Sequence, residues 1–262
     1  MIVDCFPFLN ELDLLELRLH ELAPIVDKFV LTEATLTFSN KPKALFFDEH
    51  YDRFRDFADR IEYILIDRYD GMNRDDPWSM ERGQKQLALD IAMDRLQLSA
   101  GDIVIVSDCD EIPRAEALAV HLEGDWTALT LEMPLYYYHM NCLCTNRPWR
   151  ACKAVRYHGE RLRHRRIRYS RGRSMIVPNA GWHFSYLGGA AAIQYKIGAY
   201  AHVEYDRPPF NSAAHIAIRT GGVKDLFDRD YQFTILSDLG YLPQYVRENL
   251  GTYGQYIRQG TA

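Results

Sequence analysis

The sequence predicts an α/β protein: a mostly parallel central sheet flanked by helices. Three observations lead there. Through the first half of the chain, apolar runs of strand length alternate with segments of helical period, in the order β-α-β-α-β-α-β. One of these runs, Ile103, Val104, Ile105 and Val106, is β-branched throughout and has no polar face, as a strand covered on both sides requires. Composition agrees: of 262 residues, 47% are hydrophobic and 26% charged, which suits a folded globular chain and excludes wholesale disorder.

Taken in order, residues 1–6 read as the first strand. Asn10 then opens a helix as its cap, with Glu11 and Asp13 near the positive end and Leu12, Leu15, Leu19 and Leu22 on one face, and Pro24 closes it. Residues 28–33 form a second strand ending in the carboxylate of Glu33, followed by a polar loop to Pro42. Residues 48–60 suit a short charged helix and 61–66 a third strand. After a charged loop, Asp76-Pro77 starts a helix carrying Leu87 and Ile91 that ends near Gly101. No Gly-x-Gly-x-x-Gly follows the first strand and no Walker lysine occurs, so the dinucleotide and P-loop readings lose support.

The strand at 103–106 ends in three carboxylates, Asp108, Asp110 and Glu111. Anionic groups crowded at a strand end repel one another unless a cation sits between them, and a divalent metal with oxygen ligands meets that need. In open α/β sheets this is also the end at which ligands bind. The plainer alternative is a polar turn capping a helix that starts near Pro113, with Glu111 in its first turn. That alternative explains Glu111 and leaves Asp-x-Asp unexplained.

Beyond Gly124 the texture changes. Residues 126–133 and 135–140 are strand-like and aromatic, and the run Tyr136, Tyr137, Tyr138 is expected to pack rather than to stack on a ligand. Residues 161–173 hold seven arginines and His164, a pattern typical of a solvated, mobile face that also matches phosphate geometry. His183 sits between aromatics, as a core histidine or a ligand, ahead of an alanine-rich helix with Ile193, Lys196 and Ile197. His202-Val203-Glu204 follows, then a turn at Arg219-Thr220-Gly221-Gly222, an acidic stretch with Asp225, Asp228 and Asp230, and a closing helix over 242–256.

A net charge of -5 gives no general reason to expect nucleic acid. Five cysteines make no disulfide framework and fit a reducing compartment. With no export signal and no long apolar span, the expectation is a soluble, cytoplasmic protein. No repeat or linker divides it, so residues 1–262 are expected to form one domain.

Several segments together resemble glycosyltransferase family 17, whose animal members make bisecting N-glycans. They are Asn10 to Leu15 with Arg18, Glu21 and Leu22; Glu33 with Lys41-Pro42; Ser107 to Pro113; Gly181-Trp182-His183; Tyr195-Lys196; and Arg219 to Gly222. The resemblance implies a GT-A type nucleotide-sugar-binding fold, with residues 1–124 as the donor-binding half and 125–262 as the acceptor-binding and C-terminal helical half. It implies Mn²⁺ or Mg²⁺, UDP-N-acetylglucosamine as donor, a glycan or saccharide-precursor hydroxyl as acceptor, and inversion. On that basis Asp108, Asp110 and His183 are expected at the metal. Glu33, Asp108, Lys196 and Arg219 are expected at the donor. The base is sought first at Glu204, then at Asp225 and Glu111. The animal members carry a membrane anchor and luminal stem with no match here, which leaves the acceptor open. Two alternatives stand beside this reading: a haloacid dehalogenase-like phosphatase using Asp108 as nucleophile and Asp110 as general acid, and a non-catalytic sugar-binding protein.

Overall fold

The computed structural model describes residues 1–170 and 174–259. Along the first half run β1 (Ile2–Phe8), α1 (Leu12–Leu22), β2 (Lys28–Ala34), α2 (Phe46–Glu49), a 3-10 helix (Tyr51–Arg60), β3 (Ile61–Ile66), α3 (Pro77–Arg95) and β4 (Ile103–Val106). The alternation expected from the sequence is present, and β3 and β4 carry the expected bounds. Then come β5 (Glu111–Pro113), α4 (Ala115–Ala119), β6 (Ala128–Leu131), β7 (Leu135–Tyr137), β8 (Cys142–Cys144), β9 (Lys153–Arg156), α5 (His164–Arg168), β10 (Met175–Val177) and β11 (Gly181–Ser185). The chain closes with α6 (Gly189–Ala199), a 3-10 turn (Val203–Tyr205), α7 (Ala213–Gly221), β12 (Phe233–Ile235), α8 (Gln244–Glu248), α9 (Leu250–Tyr253) and a last 3-10 turn (Gly254–Tyr256).

Seven strands form the main sheet in the order β10-β6-β9-β4-β1-β2-β3. From β4 to β3 the strands are parallel, whereas β9 runs antiparallel to both β4 and β6. The apolar strands alternate strictly between two covered faces. Phe6 and Phe8 of β1 and Ile103 and Ile105 of β4 pack with Leu15 and Leu19 of α1. Val3 and Cys5, with Val104 and Val106, pack with Ala88, Leu89 and Ala92 of α3. Helices on both faces are why β4 needs no polar side.

A second sheet, β12-β8-β7-β11-β5, is what the sequence did not announce. Glu111–Pro113 is a strand, not the first turn of a helix, and it pairs antiparallel with β11 in the register His183↔Glu111. Gly181 permits that pairing: its φ is +156°, and a Cβ there would meet the Ile112 carbonyl oxygen at 2.2 Å. Tyr136 and Tyr137 point to opposite faces of this sheet and are both buried in its cores, so the tyrosine run does pack. The tail is three short helical pieces rather than one helix, since Asn249 and Gly254 interrupt it. Asn10 does not cap α1; its carbonyl accepts the Leu12 N–H, and Glu11 holds the N-cap position.

Candidate functional site

The two sheets meet along β4, β5 and β11, and a cavity of about 370 Å³ opens there. Its wall combines the carboxyl ends of β1 and β2 (Phe8, Ala34), the turn after β4 (Asp108, Asp110), the inner edge of the second sheet (Leu135, His183) and Lys196 of α6. This is where an open parallel sheet receives a ligand.

The turn bearing Asp108 and Asp110 is shaped from below by Arg18. This side chain is wholly buried, and its Nε and Nη2 donate to Asp4 at 2.7 and 2.6 Å. Nη1 donates to the carbonyls of Asp108 (3.0 Å) and Glu111 (2.8 Å), and Nη2 reaches Ser107 Oγ at 2.6 Å. Burial works against the guanidinium charge, and Asp4 more than restores it, so its pKa is raised. One fork thereby binds the carbonyls at both ends of the turn, while the Asp110 carbonyl between them accepts the Phe184 N–H of β11 at 2.9 Å.

Asp108 lies in a closed ion network. Its Oδ1 is 2.6 Å from Lys85 Nζ, and its Oδ2 is 2.7 Å from Arg168 Nη2. Arg168 also forks onto Glu111, whose Oε1 accepts from Trp149 Nε1 at 2.6 Å and whose Oε2 accepts the Asp108 N–H at 3.0 Å. Burial opposes ionisation of Asp108, yet Arg168 and Lys85 hold its carboxyl well below the usual range. Lys85 extends from the apolar stripe of α3 that also carries Ala88, Leu89 and Ala92.

Asp110 faces differently. Its Oδ2 accepts from Lys196 Nζ at 2.7 Å and stands 3.5 Å from His183 Nε2. Burial again opposes ionisation, and Lys196 and His183 overcome it, so this carboxyl too is held well below the usual range. Lys196 continues to Glu11 Oε1 at 3.4 Å. The Trp149 indole lies 4.4 Å from the His183 ring, tilted 46° to it.

The structure thus brings together Asp108, Asp110, His183 and Lys196. It does not bring the other expected residues into the cavity wall. Glu33 is buried in a closed set with Lys43 Nζ (3.0 Å), Tyr63 OH (3.1 Å) and the Phe47 N–H. Glu111 is wholly buried inside the Arg168 network. Arg219 pairs with Asp228 at the surface. Asp225 accepts from the Phe227 and Arg229 N–H groups and from the Arg229 side chain, which makes it the cap of its own loop. Glu204 is half-exposed and bonded to His202 Nδ1 at 2.7 Å. Arg161, Arg163, Arg165 and Arg166 are exposed, as expected of a solvated face, whereas Arg168 departs from it with a side chain only 8% exposed; Arg171 and Arg173 lie outside the described residues.

Whether a divalent ion suits this site is a question of donors. Among the described residues no three His, Cys, Asp or Glu side chains are placed to hold an ion. Both oxygens of Asp108 are engaged by cations, which leaves Asp110 and His183 as the adjoining pair. One carboxylate and one imidazole fit an ion that takes its remaining ligands from substrate phosphates, as Mg²⁺ and similar ions commonly do. They do not make a self-sufficient protein cage.

A sequence profile of glycosyltransferase family 17 matches residues 1–247. The chain belongs to glycosyltransferase family 17. Similar proteins include the β-1,4-mannosyl-glycoprotein 4-β-N-acetylglucosaminyltransferases of Homo sapiens, 26% identical, and Rattus norvegicus, 25% identical, each over 278 aligned positions and 92% of this chain. The family 17 chain described here spans about half the length of these relatives, 52% and 51% respectively. A solved 4-diphosphocytidyl-2C-methyl-D-erythritol synthase superposes on 68% of this chain and 88% of its own, with a TM-score of 0.42 and 11% identity, too distant to imply shared chemistry. No described helix is long and apolar enough to cross a membrane.

Proposed function

We propose that the protein is a metal-dependent, inverting glycosyltransferase of GT-A type that moves N-acetylglucosamine from UDP-N-acetylglucosamine to a saccharide hydroxyl. Family membership supports sugar transfer, and the names of the two mammalian relatives support the sugar. The observation that carries the reading is the convergence of Asp110, His183 and Lys196 in a cavity at the carboxyl ends of parallel strands.

Asp110 and His183 would hold the Mn²⁺ or Mg²⁺. Such an ion, bound between the protein and a diphosphate, stabilises negative charge on the departing phosphate as a Lewis acid. Lys196 adds a fixed positive charge to the same end. Burial lowers its pKa, but Asp110 and Glu11 more than reverse this, so the ammonium stays charged where a leaving diphosphate gains charge. Lys85 and Arg168 also line the cavity, with their charge already shared with Asp108. The Trp149 indole, fixed by Glu111 and His183, offers a flat face for a sugar ring.

The phosphatase alternative requires Asp108 as a free nucleophile. Ion pairs to Lys85 and Arg168 engage both of its oxygens and leave neither free to attack. Incubated with UDP-N-acetylglucosamine, Mn²⁺ and methyl β-mannoside, the protein is expected to release UDP and form a product heavier by one N-acetylhexosamine, and EDTA is expected to stop it. Phosphate release from simple phosphoesters, with UDP-sugars left intact, would contradict the proposal.

A further inference from the structure

A second cavity, of about 250 Å³, lies beside the first. It is lined by Asn10, Asp13 and Arg53 on one side and by Gly188, Ala192 and Tyr256 on the other. Two residues line both cavities, Glu11 and Lys196. Lys196 is occupied by Asp110 at 2.7 Å, so Glu11 is the carboxylate at the junction. Its Oε2 accepts the Leu9 and Asn10 N–H groups at 3.3 and 3.1 Å, while its Oε1 has only Lys196 Nζ at 3.4 Å. A carboxylate has about four lone-pair sites, so acceptor capacity remains for another donor.

We propose that Glu11 is the general base, and that the acceptor saccharide enters through the second cavity to meet it. This rests on the transferase reading above. The acceptor hydroxyl oxygen forms the new bond to the anomeric carbon as the bond from that carbon to the diphosphate oxygen breaks. The hydroxyl proton passes to the Glu11 carboxylate, and the bonding pair leaves with the diphosphate. Asp110 and Glu11 flank the Lys196 ammonium, at 2.7 and 3.4 Å, so a leaving group at Asp110 and an acceptor hydroxyl at Glu11 would meet on either side of one cation. The polar wall of the second cavity suits sugar hydroxyls, since Asp13 is already oriented by Arg53 and by Tyr256 OH at 2.6 Å. Glu81, another carboxylate of the first cavity, sits in a 2.5 Å ion pair with Lys85 and does not reach the second.

Glu11→Gln separates this role from a structural one, because the amide oxygen still accepts the Leu9 and Asn10 N–H groups. With UDP-N-acetylglucosamine and methyl β-mannoside as probes, the variant is expected to bind donor within about twofold of wild type while kcat falls by roughly 10²–10⁴-fold, the range of general-base catalysis. Glu204→Gln should leave kcat unchanged. Retention of kcat within about threefold in Glu11→Gln would overturn the assignment. Should Glu11→Gln fold poorly, Ala192→Trp tests the same geometry: it should raise the KM for the mannoside and leave donor affinity alone, and an unchanged mannoside KM would overturn the proposed entry. A wild type that turns over no UDP-sugar would sink the transferase reading itself, a failure distinct from either variant's.

Discussion

Asp108 and Asp110 are separated by one residue and serve two unlike regions of the site. At the Asp108 end, Lys85, Arg168, Glu111 and Trp149 close a network in which each carboxylate oxygen has a partner. At the Asp110 end, one lysine and one imidazole face a carboxylate on the wall of the first cavity, and the lysine also lines the second. The first region ties the turn to α3 and α5; in the proposed function the second takes the ligand. An Asp-x-Asp motif therefore need not mean two equivalent ligands, because in the turn between β4 and β5 residues two apart do not share a face as they would within a strand.

The largest expected effect breaks the closed end. Arg168→Met removes the cation shared by Asp108 and the wholly buried Glu111, and stripping one partner from such a pair costs about 3–5 kcal/mol. Denaturant unfolding measures it, and a loss under about 1 kcal/mol would show that the network does not fix the turn. Arg168→Lys should lose less, keeping charge while giving up the fork.

A smaller effect comes from His164, buried beside the same cations. Burial first, then Lys85 and Arg168, push its pKa down to about 3 from an ordinary 6.5. The unfolded chain binds the proton more readily, so this contribution to stability is complete above pH 6.5 and is lost as pH falls toward 3. Relative to wild type, His164→Asn should flatten that acid decline by up to a few kcal/mol, read from unfolding midpoints at pH 7, 5.5 and 4. Parallel curves would mean that His164 is not held neutral.

The contrast between the two ends also explains what could be read from the chain alone. The strand Ile103–Val106 was legible because a sheet covered on both faces leaves its mark in consecutive residues. The second sheet was not: β5, β7, β8 and β12 are three residues each, too short for a period to show, and Glu111–Pro113 carries a helix-start signature that its pairing with β11 overrides. Asp108, Asp110, His183 and Lys196 were found because motif and resemblance named them. Arg219 was named by the resemblance and Glu204 and Asp225 by their place along the chain, and neither tells which way a side chain on α7 or in the turns beside it faces. Lys85 left a signal that went unused, a lysine in line with Ala88, Leu89 and Ala92 on the buried stripe of α3. Arg18 left the same signal, three residues after Leu15 and four before Leu22 on the buried face of α1, and it is among the residues that carry the resemblance.

The most direct measurement is calorimetric titration of UDP-N-acetylglucosamine, with and without Mn²⁺, on wild type, Asp110→Asn and Asp108→Asn. Metal-dependent binding in wild type is expected to vanish in Asp110→Asn, while Asp108→Asn keeps a metal-dependent signal of reduced affinity. Equal loss in both variants, or binding indifferent to Mn²⁺ and to Asp110, would contradict the division of labour between the two carboxylates.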